Sequence, residues 1–224
     1  MPAKNKNSDR RILIVDDHPM MRNGLAQLIN NELGLKVSAE ADTAGQAIDL
    51  AAKHKFDLAL LDISLPDKSG LELIKDLRAL QPELPILVVS MHDEMIYAER
   101  VLRAGGRGYI MKQAGGEKFL GAIRQVLAGQ IFVSDKMSAR ILEIFSGRQS
   151  KASSSPVQKL SDREFEVFQL IGQGIGTRDL AAQLHLSVKT VEVHRANIKK
   201  KLNLKTAPDL VRQAVRWFDS QNQV

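Results

Sequence analysis

Residues 58–73 read LALLDISLPDKSGLEL, a short apolar run closed by Asp62. A carboxylate at that position can be a strand-ending turn residue or a reactive group held by a buried strand. The choice depends on what else the chain places at equivalent points. Asp16 and Asp17 follow the run RILIV, Ser90 closes ILVVS and Lys112 follows GYIM. If these runs are neighbouring parallel strands, three carboxylates, a hydroxyl and an ammonium meet at one edge, because open parallel sheets bind ligands beyond the carboxyl ends of their strands. Clustered carboxylates repel unless they are protonated or neutralised by a cation. A hard divalent ion with oxygen ligands, Mg²⁺ or Mn²⁺, suits them. Lys112 adds more positive charge than the carboxylates require, and that surplus suits a phosphoryl group.

The elements that must position these residues show in the hydropathy pattern. Apolar runs at 11–15, 36–41, 58–61, 86–90 and 108–111 alternate with amphipathic stretches at 20–32, 45–53, 70–80, 94–104 and 116–128. Such βα alternation predicts an α/β fold: a five-stranded, doubly wound parallel sheet with helices on both faces. A further helix is expected over 134–145. Residues 147–159, GRQSKASSSPVQK, are polar and Ser-rich and read as a linker.

From Leu160 onward the pattern is helical only, with helices expected over 161–172, 177–184, 188–202 and 207–218. Ser161 and Glu164 are spaced as a capping box. Val188, Val191, Ile198 and Leu202 are expected to face the core of this part, and Lys189, Glu192, Val193, Arg195, Ala196 and Lys199 to lie on or near its exposed side. Two helices joined by a tight turn, the second carrying cations, suit insertion into a major groove. The charge distribution agrees. Residues 1–146 hold 19 Lys+Arg against 19 Asp+Glu, whereas residues 147–224 hold 13 against 7, so the whole excess of +6 sits in the last third. A basic module attached to a neutral one is the pattern of a nucleic-acid-binding part.

With no cysteine, disulfides, thiolate metal sites and cysteine nucleophiles are excluded. The five histidines, His18, His54, His92, His185 and His194, are scattered without the spacing of a zinc site, and His18 is expected to help the turn after Asp17. No apolar run reaches the roughly 18 residues of a membrane span. The polar opening MPAKNKNSDRR reads as a loose arm over 1–9 and not as a signal peptide. A cytoplasmic protein without membrane contact is expected.

VDDH at 15–18, LLDISLPDKSG at 60–70, VVS at 88–90 and GYIMK at 108–112 resemble, in order and spacing, the receiver domain of two-component response regulators over about residues 10–130. The resemblance implies a flavodoxin-like receiver in which Asp62 accepts a phosphoryl group from a sensor histidine kinase. Asp17 and Asp62 would ligate the ion with the backbone carbonyl of Ser64, Asp16 assisting through water. Lys112 and Ser90 would bind phosphoryl oxygens, and Ser90 with Tyr109 would form the switch. The receiver would assist its own phosphorylation and dephosphorylation, with Ser64 and His92 at positions that tune phosphoryl lifetime. Many receivers have proline after the lysine; here Gln113 follows Lys112.

Residues 160–217 are similar to the LuxR/FixJ-type, NarL-like helix-turn-helix, through LSDREFEVFQLIGQG, LAAQLHLSVKTVEVHRANIKKKL and DLV. This implies an all-α four-helix domain over 160–220, joined to the receiver through a connecting helix and linker over 131–159. Its third helix would enter the major groove of a double-stranded DNA operator, and its last would pair with a second protomer in a homodimer formed on activation. Lys189, Thr190, Val193, His194, Arg195, Asn197 and Lys199 would face DNA. The sequence departs from the pattern at Pro208–Asp209 and at Glu192. Two other functions stay open: an aspartate-nucleophile phosphatase, although the DxDxT pattern is missing, and a phosphorylation-independent DNA-binding regulator whose receiver serves as a dimerisation scaffold.

Overall fold

The computed structural model describes residues 9–146, 156–184 and 186–221. All but the last residue of the expected arm over 1–9, and most of the expected linker, therefore lie outside the described residues. The chain divides into two compact units, Met1–Ile141 and Leu142–Val224.

The first unit runs β1 (Arg10–Val15), α1 (Pro19–Asn30), β2 (Leu35–Ala41), α2 (Ala44–Lys53), β3 (Leu58–Leu61), α3 (Gly70–Leu80), β4 (Ile86–Ser90), α4 (Glu94–Ala104), β5 (Gly108–Met111) and α5 (Gly116–Leu127). The strands form one five-stranded sheet in the order β2-β1-β3-β4-β5, and every pairing is parallel. The central strands β3 and β4 are buried along their whole length, as a sheet covered on both faces requires. The edge strand β2 alternates in exposure instead. On one face Ile12, Ile14, Leu58, Leu60, Leu87 and Val89 pack against Leu25 and Ile29 of α1 and Phe119, Ile123 and Val126 of α5.

Local chemistry sets the helix starts. Pro19 opens α1 one residue earlier than expected, since its missing N–H and fixed φ fit the first helical turn. Thr43, Ser69 and Asp93 cap α2, α3 and α4 through side-chain acceptors. Gly70 has a second role. A Cβ there would lie 2.6 Å from Ile63 Cα and 2.7 Å from the Asp62 carbonyl, so only glycine lets α3 start directly under the loop that carries Asp62. Beyond α5, α6 (Asp135–Phe145) is fastened to the first turn of α4: the Ser134 N–H donates to Glu94 Oε1 at 2.7 Å, and Arg140 donates to the Met95 carbonyl at 3.3 Å.

The second unit holds α7 (Asp162–Gly172), α8 (Thr177–Gln183), α9 (Val188–Lys201) and α10 (Ala207–Gln221), which continues past the expected end at 218. A 3₁₀ turn, Pro156–Lys159, precedes them at the end of the expected linker, with Val157 buried. The core is Phe165, Phe168, Leu180, Val191, Ile198, Leu210 and Ala214, and Trp217 lies edge-on to Phe165 at 5.4 Å. Ser161 and Glu164 form the anticipated capping box. Val188 departs from expectation. It is 46% exposed because it occupies the first helical position, one residue after the cap Ser187, before the helix has turned its apolar side inward.

Candidate functional sites

The ends of β1, β3, β4 and β5 do meet. Asp16, Asp62 and Ser90 are buried, Asp62 with only 4% of its surface exposed. Lys112 Nζ lies 2.7 Å from Asp16 Oδ2 and 2.7 Å from Asp62 Oδ2, so one ammonium bridges two carboxylates. Burial opposes the charged lysine, but its hydrogen bonds to Asp16 and Asp62 outweigh that and raise its pKa. Burial pushes the Asp62 carboxyl above the ordinary carboxylate value; Lys112 opposes the shift and the Asp16 charge adds to it. The Ser64 N–H donates to Asp62 Oδ1 at 3.3 Å and turns the loop around the carboxylate.

Ligand atoms of Asp16, Asp17, Asp62 and His18 all lie within 4.8 Å of one another. His18 is the member that the spacing of histidines concealed. Its Nδ1 is 2.7 Å from Asp17 Oδ1 and 3.2 Å from Asp16 Oδ1, with the side chain 64% exposed. Its N–H donates to Asp16 Oδ1 at 2.9 Å, so His18 does stand in the turn after Asp17, an Asx-type turn before Pro19. Arg22 also joins the site, donating to the Asp16 carbonyl at 2.6 Å.

Ser90 and Tyr109 both bond to the backbone of His92. The His92 N–H donates to Ser90 Oγ at 3.2 Å, and the His92 carbonyl accepts from the Tyr109 hydroxyl at 2.7 Å. The His92 ring lies 2.9 Å from Ser64 Oγ through Nε2 and stacks on Tyr97 at 5.0 Å. Burial, reinforced by the Lys112 charge, lowers the His92 pKa and favours the neutral ring. Tyr109 is fully buried, and that burial drives its hydroxyl pKa far up. The loop after β3, the loop after β4 and the core of β5 are thus joined by hydrogen bonds around the acidic cluster.

In the second unit, α9 exposes Lys189, Glu192, Val193, Ala196, Asn197 and Lys200, a stripe at helical spacing. Lys200 was missed by the sequence reading, although it falls three residues after Asn197 on the same face. Thr190, His194, Arg195 and Lys199 are half-buried beside the stripe. His194 is held below its ordinary pKa by burial and by the Arg163 charge. Arg195 is withdrawn from solvent although expected to face DNA: its side chain is 15% exposed, and it donates to Thr177 Oγ1 at 2.8 Å. Lys201, at the C-terminal end, turns to Glu164 Oε2 at 2.6 Å and ties α9 to the capping box of α7.

A sheet-edge acidic site on a receiver-like fold, followed by a basic helix-turn-helix unit, defines a class that comparison with known proteins makes explicit. Residues 12–124 match the response regulator receiver domain, and residues 158–214 match the bacterial regulatory proteins of the luxR family. The chain belongs to the response regulators that join these two domains and is a two-component response regulator transcription factor. It is 36% identical over 210 residues to the oxygen regulatory protein NreC of Staphylococcus haemolyticus (strain JCSC1435), covering 92% of this chain and 97% of that protein. NreC of Staphylococcus aureus (strain bovine RF122 / ET3-1) is 37% identical over 210 residues, with the same coverage of 92% and 97%. Among solved structures, a LuxR-family response regulator from Aurantimonas sp. SI85-9A1 is 33% identical with a TM-score of 0.57, covering 62% of this chain and 99% of that one. RcsB of Salmonella enterica serovar Typhimurium, bound to promoter rprA in the presence of phosphomimetic BeF3⁻, is 23% identical with a TM-score of 0.68 and shares the fold over 97% of this chain and 100% of that one. Family membership selects a transcription factor over the phosphatase left open by the sequence. Among the described residues no helix is long and apolar enough to cross a membrane.

Proposed function

We propose that this protein works in the cytoplasm, that Asp62 accepts a phosphoryl group from the phosphohistidine of a sensor histidine kinase, and that this modification shifts a monomer–homodimer equilibrium governing operator binding. The observation that carries the reading is the Asp62 carboxylate itself, buried at the end of β3 with Lys112 Nζ 2.7 Å away. In the transfer, an Asp62 carboxylate oxygen bonds to phosphorus as the P–N bond of the donor breaks. The electron pair stays with the imidazole nitrogen, and the product is an acyl phosphate. Lys112 pairs with a phosphoryl oxygen, Ser90 hydrogen-bonds to another, and their fixed placement supplies most of the acceleration.

The donor set fits a hard divalent ion, since carboxylate oxygens of Asp16, Asp17 and Asp62 fall within 4.8 Å of one another. Asp17, Asp62 and the Ser64 carbonyl would hold Mg²⁺ or Mn²⁺, with Asp16 assisting, and the ion would neutralise charge on the phosphoryl oxygens. Ser90 and Tyr109, both bonded to the His92 backbone, form the switch: a phosphoryl oxygen at Asp62 accepts from the Ser90 hydroxyl and draws it toward the site, away from the His92 N–H that now donates to its oxygen. In the output unit α9 enters the major groove, with Lys189, Thr190, Val193, His194, Asn197 and Lys199 at the DNA surface. Phosphorylation can act only as far as it stabilises the binding-competent state over the other. Operator affinity with acetyl phosphate and Mg²⁺, measured beside Asp62→Asn, tests the proposal. Wild type is expected to bind more tightly on addition of the phosphodonor and Asp62→Asn is not. Equal affinity would favour a phosphorylation-independent regulator with the receiver as scaffold.

A further inference from the structure

We propose that Arg195 is a positioning residue and not a DNA ligand: with Arg163 it clamps α8 between α9 and α7, and so sets the angle at which α9 meets the groove. The inference rests on the reading of α9 as the groove-entering helix.

The element being held is short. α8 has seven residues, and its N-cap, Gly176, offers no side-chain acceptor. A helix of that length is not stable alone, and its buried residues are only Leu180 and Ala181. Both of its ends are instead taken by arginines from neighbouring helices. At the start, Arg195 Nη1 of α9 donates to Oγ1 of Thr177, the first residue of α8, at 2.8 Å. At the end, Arg163 Nη2 of α7 donates to the carbonyl of Leu184, the C-cap, at 2.6 Å. The Leu184 contact follows ordinary helix electrostatics, a cation at a C-terminus. The Arg195 contact runs against them, since a cation at a helix N-terminus is disfavoured, so the hydrogen bond to Thr177 and the geometry it fixes explain its position. Arg195 is also largely removed from solvent, at 15% exposure, while Glu192, one turn earlier and 3.8 Å away, remains 58% exposed. A phosphate ligand must reach outward, and this guanidinium is turned across the helix pair.

The two roles separate experimentally. A cation that neutralises a phosphate steepens the salt dependence of binding by about 0.9 in log–log slope, whereas a positioning hydrogen bond changes affinity without changing that slope. The probe is a duplex selected from a random pool by the wild-type full-length chain. Thr177→Val, which removes only the acceptor, is expected to weaken binding about threefold to tenfold, the scale of one ordinary intramolecular hydrogen bond. Thr177→Ser, which keeps it, is expected to bind as wild type. Arg195→Gln should match Thr177→Val with an unchanged salt slope, and the double variant should be no weaker than Arg195→Gln alone. If Arg195→Gln does not fold, judged by circular dichroism, the Thr177 pair still decides. Wild-type binding by Thr177→Val, together with loss of about one slope unit in Arg195→Gln, would overturn the proposal in favour of a phosphate contact. Failure of the underlying reading looks different: Lys189→Gln and Asn197→Ala would then leave both affinity and slope unchanged.

Discussion

The two units hold their functional side chains in opposite ways. In the receiver, the side chains of Asp16, Asp62, Ser90 and Lys112 are buried at the ends of strands whose inner residues are apolar. In the DNA-binding unit the stripe of Lys189, Val193, Ala196 and Lys200 is solvated, and the protein restrains the helix underneath instead of the side chains on it. The chemistry accounts for the difference. Phosphoryl transfer needs charges fixed within a fraction of an ångström, while a groove-reading surface needs reach and a correct helix angle, which Arg195, Arg163 and Lys201 maintain from behind.

The largest effect expected from this contrast comes from breaking the buried charge cluster. Lys112→Met leaves Asp16 and Asp62 facing each other without a cation. In EDTA at neutral pH it should cost the receiver about 3–5 kcal/mol in urea unfolding, with part of the loss recovered on adding Mg²⁺, which binds only the folded site. A loss under 1 kcal/mol would mean that the cluster is not organised by Lys112. Next is Gly70→Ala, whose new Cβ meets backbone atoms that cannot yield. About 2–3 kcal/mol of receiver stability should go, together with slower phosphoryl uptake at the displaced Asp62.

In the second unit the corresponding test is electrostatic and smaller. Burial raises the Glu164 pKa, but Lys201 and the Ser161 cap outweigh it and hold it below the ordinary value. A depressed carboxylate contributes stability above its unfolded pKa and loses it as pH falls through its folded one. Acidifying below about pH 4.5 should therefore remove roughly 1 kcal/mol, discounted because Lys201 is 40% exposed. Glu164→Gln should abolish that part of the pH dependence in thermal melts. Smallest of all, Glu99→Gln breaks only the exposed i,i+4 pair with Arg103 and should shift stability by less than about 0.5 kcal/mol. A larger change there would show that surface pairs matter in this fold more than their exposure allows.

The same contrast explains what was legible in the sequence. The strands are short, apolar and bounded by charged residues, so their ends could be read off, and with them Asp16, Asp17, Asp62, Ser90 and Lys112. The turn at His18 was legible too, but not its place in the acidic cluster, which comes from an Asx turn folding the chain back on Asp16 and is not encoded in histidine spacing. On α9, periodicity identified an exposed side but not which cations on it are free. Arg195 lies between the core face and the open stripe, and its partner Thr177 is eighteen residues away on another helix. Val188 was misplaced for a related reason: periodicity assumes a helix already formed, and that residue is the first in its turn.

The central claim is that Asp62 carries the phosphoryl group. Intact mass of the full chain after incubation with acetyl phosphate and Mg²⁺, beside an Asp62→Asn control, tests it most directly. The account predicts a base-labile gain of one phosphoryl group in wild type and none in Asp62→Asn; the same gain in both, or none in wild type at any time of incubation, would contradict it.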